Sequence, residues 1–356
     1  MTRPLLAFTS KGIYCEQGDF YIDPWQPVNH AIITHGHSDH SRPGNANYLT
    51  HRDSIPILKY RLGNVRISGL SYGESVIKNG VKVSLHPAGH ILGSAQVRVE
   101  HKGEVWCVSG DYKTSPDPVA EDFEPVKCHT FITECTFGLP VFNWPSEETI
   151  VAQIEEWWKG NQASGKVSIL CAYALGKSQR ILKLINPLIG PIYSHGAVHA
   201  INQIHQKEGF LSGEFPYADP SATKSEMTGA LIIAPPSAVG SSWGKKWGSL
   251  SIGMASGWMM LRGTRRRRNV DRGFILSDHA DWSGLICAIK ETEAENVICT
   301  HGYTEAFSEW LNHLGYQAFS EKTLFEGESL ESKTEEGCSF LPNFLNSWIK
   351  PLKRMS

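Results

Sequence analysis

The segment Thr34–His40, with the sequence THGHSDH, constrains the chain more than any other feature. It follows the strand-like run HAII, so it places three histidines and an aspartate within six residues of a loop. Alternate side chains of such a loop can turn toward two different ions. Imidazole nitrogens and carboxylate oxygens are ligands that zinc and manganese accept. The motif therefore indicates a metal site at the end of a strand, and the alternative is a histidine-rich polar surface turn.

Further candidate ligands follow other strand-like runs, next to glycine or serine. Enzymes often assemble their sites on loops in such positions. Taken alone, each of these histidines is explained by an ordinary polar role, but together with the first loop they complete two sets of metal ligands. The candidates are His90 in HPAGHILGSA, Asp111 in CVSGDY, His279 in LSDHAD and His301 in ICTHGY.

The hydrophobic pattern predicts an α/β protein. The first 135 residues contain short apolar runs bounded by turn residues, which are typical of strands. PSEETIVAQIEEWWKG then predicts an amphipathic helix that begins after Ser146 and ends at Gly160. From Val167 onward, strand-like and helix-like runs alternate, which indicates a parallel sheet.

The composition excludes several classes of protein. A chain of 356 residues with 41% hydrophobic and 20% charged residues is that of one large or two medium globular domains. No run approaches the roughly 18 consecutive apolar residues of a membrane span. The eight cysteines form no CxxC pair and follow no secretory signal, so we expect reduced thiols in a cytoplasmic protein.

Charge is distributed unevenly along the chain. Residues 166–268 contain 13 Lys and Arg but four Asp and Glu, a net charge of +9, whereas the whole chain carries −2. The remainder therefore carries −11. A basic segment on an acidic body is expected when the substrate is an anionic polymer, and the alternative is a solvated basic face.

The order of these motifs resembles that of metallo-β-lactamase-fold hydrolases, with HxHxDH, a lone histidine, an aspartate and a late histidine. AGHILGSA, TECTFG, YALGKSQRIL, SDHAD and CTHG are similar to motifs of the β-CASP nuclease branch. DFYIDPWQPV and ASGWMMLRGTRRRRNVDRGFILSDHADW resemble the bacterial ligase-associated DNA exonucleases. The resemblance extends from Leu6 to about Trp310.

This resemblance implies a metallo-β-lactamase αβ/βα sandwich formed by residues 1–165 and 262–356. An inserted α/β β-CASP domain, residues 166–261, would cap its cleft. The expected cofactors are two divalent metal ions, zinc or manganese. The ligands implied for one ion are His35, His37 and His90, those for the other are Asp39, His40 and His301, and Asp111 would bridge both.

The resemblance also implies roles for the remaining site residues. Asp23 would orient a ligand, and Asp39 would accept the proton of the attacking water. His279 would act as general acid, with Glu134 holding its imidazole. The expected nucleic-acid contacts are Arg262, Arg265, Arg266, Arg267, Arg268, Arg272, Lys177 and Arg180.

The function that the resemblance implies is a DNA exonuclease acting in repair, with DNA as substrate and an ATP-dependent DNA ligase and a helicase as associated partners. Three alternatives remain open at this point. His301 is typical of RNA-cutting members, which favours a ribonuclease of the same fold. The ligand set alone permits a small-molecule hydrolase. A non-enzymatic scaffold is disfavoured because every ligand position is filled.

Overall fold

The computed structural model describes residues 4–238, 243–244, 247–261, 263 and 270–324. The strands of these residues form three sheets. The first contains β1 (Ala7–Phe8), β2 (Ile13–Cys15), β3 (Phe20–Ile22), β4 (His30–Ile32), β5 (Asn47–His51) and β6 (Ile67–Leu70). The second contains β7 (Ser75–Lys78), β8 (Val81–Pro87), β9 (Ala95–His101), β10 (Glu104–Val108), β11 (Thr130–Cys135), β17 (Asn296–Gly302) and β18 (Gln317–Ser320). The third contains β12 (Val167–Cys171), β13 (Ile192–Ser194), β14 (Leu231–Ala234), β15 (Leu250–Ala255) and β16 (Arg272–Phe274).

Seven α-helices lie in the described residues. None of them has the length and apolar character that crossing a membrane requires. The helices are α1 (Ile55–Leu62), α2 (Glu147–Ala163), α3 (Lys177–Leu184), α4 (Gly196–Lys207), α5 (Lys224–Met227), α6 (Trp282–Thr292) and α7 (Thr304–His313).

The first two sheets pack face to face around one apolar core. Phe20 and Ile32 of the first sheet share this core with Val83 and Val97 of the second. Helix α1 covers the outer face of the first sheet, and α6 and α7 cover that of the second. The layers are therefore helix, sheet, sheet and helix, and the predicted α/β class is confirmed.

The third sheet is parallel throughout, in the order β13-β14-β12-β15-β16. Its central strand β12 is buried along its whole length, as expected of a strand covered on both faces. Strands β11 and β17 pair directly with each other in the second sheet. The chain therefore leaves the second sheet after β11, forms the third sheet, and returns at β17.

Helix α2 begins where the sequence predicts and ends later. The Ser146 side chain accepts a hydrogen bond from the backbone N–H of Thr149 and caps the first turn. The predicted end at Gly160 is wrong, because the helix continues to Ala163. The buried Asn161 Nδ2 donates to Ser168 Oγ over 2.9 Å and ties this last turn to β12. Such packing outweighs the roughly 1 kcal/mol that an internal glycine costs a helix.

Candidate metal centre

The candidate ligands lie on loops that follow strands of the first two sheets. His35 and His37 follow β4, His90 follows β8, and Asp111 follows β10. One ligand atom from each of the four lies within 4.8 Å of those of the others, and only His37 among them is partly exposed. Residues up to 76 positions apart in the chain thus meet at one point.

Each of the three imidazoles has one ring nitrogen fixed by a neighbour. His37 Nε2 donates to the Leu175 carbonyl over 3.2 Å, and His90 Nδ1 donates to the Asp278 carbonyl over 2.7 Å. His35 Nδ1 lies 3.0 Å from Thr34 Oγ1. The other nitrogens, Nε2 of His35, Nδ1 of His37 and Nε2 of His90, are therefore free to act as ligands.

The contact between His37 and His90 favours a bound cation. Each ring carries its proton on the nitrogen that donates to a carbonyl, so the lone pairs of His37 Nδ1 and His90 Nε2 face each other over 3.1 Å. Burial lowers the pKa of both rings, and His90 is lowered further by the neighbouring His279 and His37. Both rings are thus neutral, which is the protonation state that a metal ion requires.

Two buried atoms of this cluster also lack a hydrogen bond. Within the residues that the structure describes, His35 Nε2 and Asp111 Oδ1 have no hydrogen-bond partner. Leaving a buried polar atom unpaired costs roughly 1–3 kcal/mol. A divalent cation would satisfy both atoms, so the donor set fits zinc or manganese.

The carboxylate of Asp111 lies between two groups of ligands. Its Oδ2 is 3.5 Å from His35 Nε2 and 3.8 Å from His90 Nε2. Its Oδ1 is 3.6 Å from His40 Nε2. His40 Nε2 in turn lies 3.6 Å from Asp39 Oδ2. One oxygen of Asp111 thus faces each group, which is the arrangement of a carboxylate that can bridge two ions.

The second group contains a protonated histidine among carboxylates. Burial disfavours the charged form of His40, but Asp111, Asp39 and Asp23 outweigh this and raise its pKa to about 10. Burial alone would raise the pKa of Asp39, but the neighbouring His40 outweighs this and lowers it. A cationic site between carboxylates binds either a proton or a metal ion.

Asp23 connects the two ligand groups through hydrogen bonds to Thr34 and His40. It follows β3 in the left-handed region, at φ 42°, which aspartate tolerates better than most residues. Its carboxylate accepts from the Thr34 backbone N–H (2.8 Å), from Thr34 Oγ1 (2.5 Å) and from His40 Nδ1 (2.7 Å). Because the Thr34 hydroxyl proton goes to Asp23, its oxygen accepts from His35 Nδ1. Asp23 therefore orients His40 directly and His35 through Thr34.

His301 lies at the end of β17, half-buried and in the left-handed region at φ 56°. Its carbonyl accepts from Cys135 Sγ over 3.1 Å, where the pairing of β11 with β17 is irregular. Among the described residues, His301 is not one of those whose ligand atoms gather within 4.8 Å, so its place in the second set stays a prediction. Its strained backbone at that place is a common property of functional sites.

His279 and Glu134 form a buried pair beside the first group. His279 Nδ1 lies 2.8 Å from Glu134 Oε1, and the ring centroids of His279 and His90 are 4.8 Å apart. The other Glu134 oxygen accepts from the Thr136 backbone N–H over 2.9 Å. Burial alone would raise the pKa of Glu134, but the charge and hydrogen bond of His279 lower it. One ligand atom each of His279, Glu134 and Asp111 lies within 4.8 Å of the others, so the pair lies next to the carboxylate of the first group.

The residues predicted to contact nucleic acid differ in their exposure to solvent. Lys177 and Arg180 are buried and paired with carboxylates, whereas the sequence predicts an exposed track. A count of charges cannot show that carboxylates from other segments surround them. Arg272 is exposed on the edge strand β16. The remaining predicted contacts, Arg262 and Arg265 to Arg268, lie outside the described residues.

Sequence reasoning missed the groups that hold the ligand rings. The Leu175 carbonyl has no signal in a sequence, because a backbone oxygen belongs to every residue. Asp278 and Thr34 stand beside the motif residues His279 and His35, and polar neighbours of metal ligands are the available signal.

Known proteins share sequence similarity with this chain. No family model matches the sequence. The chain is 28% identical over 315 residues to a protein named probable DNA ligase from Opitutus terrae, a match that covers 87% of this chain and 30% of the relative. It is 30% identical over 206 residues to an RNase J-like protein from Methanocaldococcus jannaschii, covering 49% of each. The chain thus spans less than half the length of either relative.

One solved structure is similar to this chain in its fold, and at such low identity the similarity says nothing about function. The crystal structure of a protein of unknown function from Enterococcus faecalis superposes with a TM-score of 0.54 at 12% identity. It covers 76% of this chain and 74% of that one. Both sequence relatives carry the names of enzymes that act on nucleic acids.

Proposed function

We propose that the chain is a metal-dependent nuclease that hydrolyses phosphodiester bonds at DNA ends, and that it belongs to the β-CASP branch of metallo-β-lactamase-fold hydrolases. The observation that carries this proposal is the convergence of His35, His37 and His90 on Asp111, with buried donor atoms that a cation would satisfy. The third sheet would belong to the β-CASP domain, which the sequence assigns to residues 166–261, although its strand β16 (Arg272–Phe274) lies beyond those bounds.

His35, His37 and His90 would hold one divalent cation and Asp39, His40 and His301 the other, with Asp111 contributing one oxygen to each. When bound, the two cations would lower the pKa of a water molecule and neutralise phosphate oxygens. The chain then has to orient these ligands, which Asp23 does, and to move protons.

Two groups of the chain would move protons. Asp39 is ionised at neutral pH because its histidine neighbours lower its pKa, so it can accept the proton of the attacking water. His279 can donate a proton to the leaving oxygen from Nε2, because Glu134 engages its Nδ1. Glu134 is held on its other oxygen by Thr136, so the imidazole is fixed in orientation.

Nucleic acid is the proposed substrate because three observations agree. The proposed cations would suit an anionic ester, and residues 166–268 carry a net charge of +9, of which Lys177 and Arg180 are paired with carboxylates. Relatives over 87% and 49% of the chain are named as nucleic-acid enzymes. Arg272, beside the arginine run, would contact the phosphate backbone. The match to a probable DNA ligase supports a role in preparing ends for ligation, with a ligase and a helicase as partners.

A ribonuclease is the second candidate. His301 stands at the last ligand position in the order of the motifs, where RNA-cutting members of the branch carry a histidine. The RNase J-like relative, at 30% identity over 206 residues, favours the same substrate.

The deciding experiment compares cleavage of 5′- and 3′-labelled single strands of DNA and RNA with one sequence, in zinc or manganese. The control His37→Ala/Asp39→Ala removes ligands, and His313→Ala, at an exposed position on α7, matches the loss of a histidine. Progressive loss of nucleotides from DNA, absent in the first control and kept in the second, supports the exonuclease. Faster cleavage of RNA supports the second candidate, and cleavage of neither contradicts both.

A further inference from the structure

Arg180, on α3, is an almost completely buried cation with partners in three other segments. Its Nε lies 2.6 Å from Glu147 Oε2 and 3.4 Å from Asp117 Oδ2. Its Nη1 lies 3.5 Å from Asp278 Oδ1 and donates to the Ser277 carbonyl over 2.7 Å. At 5% exposure, this guanidinium cannot serve as a surface contact for a phosphate.

Arg180 contacts Ser277 and Asp278, and these two residues hydrogen-bond to two members of the candidate site, His279 and His90. The carbonyl of Asp278 accepts from His90 Nδ1 over 2.7 Å and so sets the orientation of that ring. Ser277 Oγ accepts from the backbone N–H of His279 over 3.1 Å. A shift of this turn would therefore move a metal ligand and the proposed proton donor together.

We propose that Arg180 is a positioning residue of the metal centre: by holding Ser277 and Asp278, it orients His90 toward the metal and His279 toward Glu134. This inference rests on the proposed metal centre but does not depend on the identity of the substrate. It gives a function to a cation that the sequence assigns to the nucleic-acid surface.

The rest of the segment supports the same role. Lys177, one turn earlier on α3, places Nζ 3.8 Å from Asp278 Oδ2. The carbonyl of Leu175 accepts from His37 Nε2. The stretch from Leu175 to Arg180 thus orients His37 directly and His90 through Asp278, so the chain that follows β12 supports the ligand rings of the first group.

The guanidinium is suited to this task in a way that an ammonium is not. Its planar fork bonds a carbonyl and separate carboxylates at the same time, whereas a lysine has a single charged nitrogen. The surrounding charges also balance: Lys113, Lys177 and Arg180 meet Asp117, Asp278 and Glu147. A neutral buried network of this kind fixes geometry and adds little attraction for distant phosphates.

The test measures Co²⁺ binding to the full chain by titration, following the visible absorption of the bound ion. The main variant is Arg180→Met/Glu147→Gln, which removes a cation and its nearest carboxylate together and keeps the network neutral. We expect its Co²⁺ affinity to fall about 10- to 100-fold, as for the loss of other groups that orient metal ligands, with a changed spectrum. Arg180→Lys should be intermediate.

Lys183→Met is the matched control, because Lys183 is an exposed cation on the same helix and should bind Co²⁺ like the wild type. Thermal unfolding establishes that each variant is folded, and if the double variant does not fold, Arg180→Lys carries the test. Wild-type affinity and spectrum in the folded variants would overturn the inference, as would a wild-type chain that binds no Co²⁺. Weaker binding in the variants of a chain that cleaves no nucleic acid would support the inference and contradict the proposed function.

Discussion

His279 Nδ1 lies 2.8 Å from Glu134 Oε1, and both side chains are buried. The carboxylate also accepts from the Thr136 backbone N–H, so it is held on both oxygens. We expect Glu134→Gln to lower the rate of phosphodiester cleavage about 10- to 100-fold, because an amide binds the imidazolium less strongly and frees its orientation. Neither residue belongs to the proposed ligand groups around His35 and His40, so metal content should stay the same. A loss of bound metal would instead assign a metal site to Asp111, Glu134 and His279, whose ligand atoms lie within 4.8 Å of one another.

The measurement is a double-mutant cycle of cleavage rates with Glu134→Gln, His279→Asn and the double variant. If Glu134 acts through His279, the double variant is no slower than His279→Asn alone. Additive losses would contradict this and give Glu134 a separate role.

We expect Asp23 to affect the increase in the free energy of unfolding that bound metal produces. It orients His40 directly and His35 through Thr34, so we expect Asp23→Asn to weaken zinc or manganese binding about 10- to 100-fold. A ligand at 100 times its Kd stabilises a protein by about 2.7 kcal/mol, and each tenfold loss of affinity removes about 1.4 kcal/mol. The measurement is the rise in Tm on adding metal.

Asp19→Asn is the matched control for this variant. Asp19 has a similar left-handed backbone, at φ 51°, but is exposed and accepts from Tyr14 OH. Its variant should show the metal-induced rise in Tm of the wild type. Equal rises in both variants would mean that Asp23 does not orient the ligands.

Gly110, directly before Asp111, is required by the close approach of Thr34. Its φ is +59°, and a Cβ there would lie 2.7 Å from Thr34 Oγ1. Gly103, in the turn between β9 and β10, has φ +86°, and a Cβ there would meet open space among the described residues. Alanine at either position costs roughly 1–2 kcal/mol of backbone strain.

We therefore expect Gly103→Ala to lose stability by that strain alone and to keep its metal affinity. Gly110→Ala should lose more stability and also bind metal more weakly, because Thr34 holds both Asp23 and His35. Urea unfolding and a metal titration measure the two effects. A normal metal affinity in Gly110→Ala would show that Thr34 can move without consequence.

The sequence predicts the positions of the candidate ligands because they follow strands. Runs such as VKVSLHPA and HTFITE form β8 and β11, and their ends lie beside His90 and Glu134. Strands β10, β11 and β17 are parallel neighbours, so residues after them meet at one edge of the sheet. The motif spacing therefore carries information about which side chains converge.

The sequence does not predict the environment of the charged residues on α3. Lys177 and Arg180 contribute to the same net charge whether they are exposed or buried. Their partners Asp117, Glu147 and Asp278 come from three separate segments, and only tertiary packing brings these carboxylates to the helix. The end of helix α2 is likewise not predicted from the sequence. The helix continues past Gly160 because Asn161 makes a buried contact with β12.

A buried histidine outside the candidate site should make the stability of the chain depend on pH. His205, on α4, is fully buried, and its Nδ1 donates to the Ile201 carbonyl over 3.0 Å. Burial lowers its pKa below the ordinary value of about 6.5. Within the described residues, its Nε2 has no hydrogen-bond partner, so a proton there would bury a charge without an acceptor.

Because the unfolded chain binds this proton at a higher pH than the folded chain, the free energy of unfolding should fall as the pH drops below about 6.5. The loss amounts to about 1.4 kcal/mol for each unit by which the two pKa values differ. His205→Gln should weaken this dependence, measured by urea unfolding at pH 7.5 and 5.5, whereas His313→Gln, at an exposed position, should leave it unchanged. A wild-type pH dependence in His205→Gln would mean that other groups account for the loss, because removing the buried imidazole removes its share of the proton uptake on unfolding.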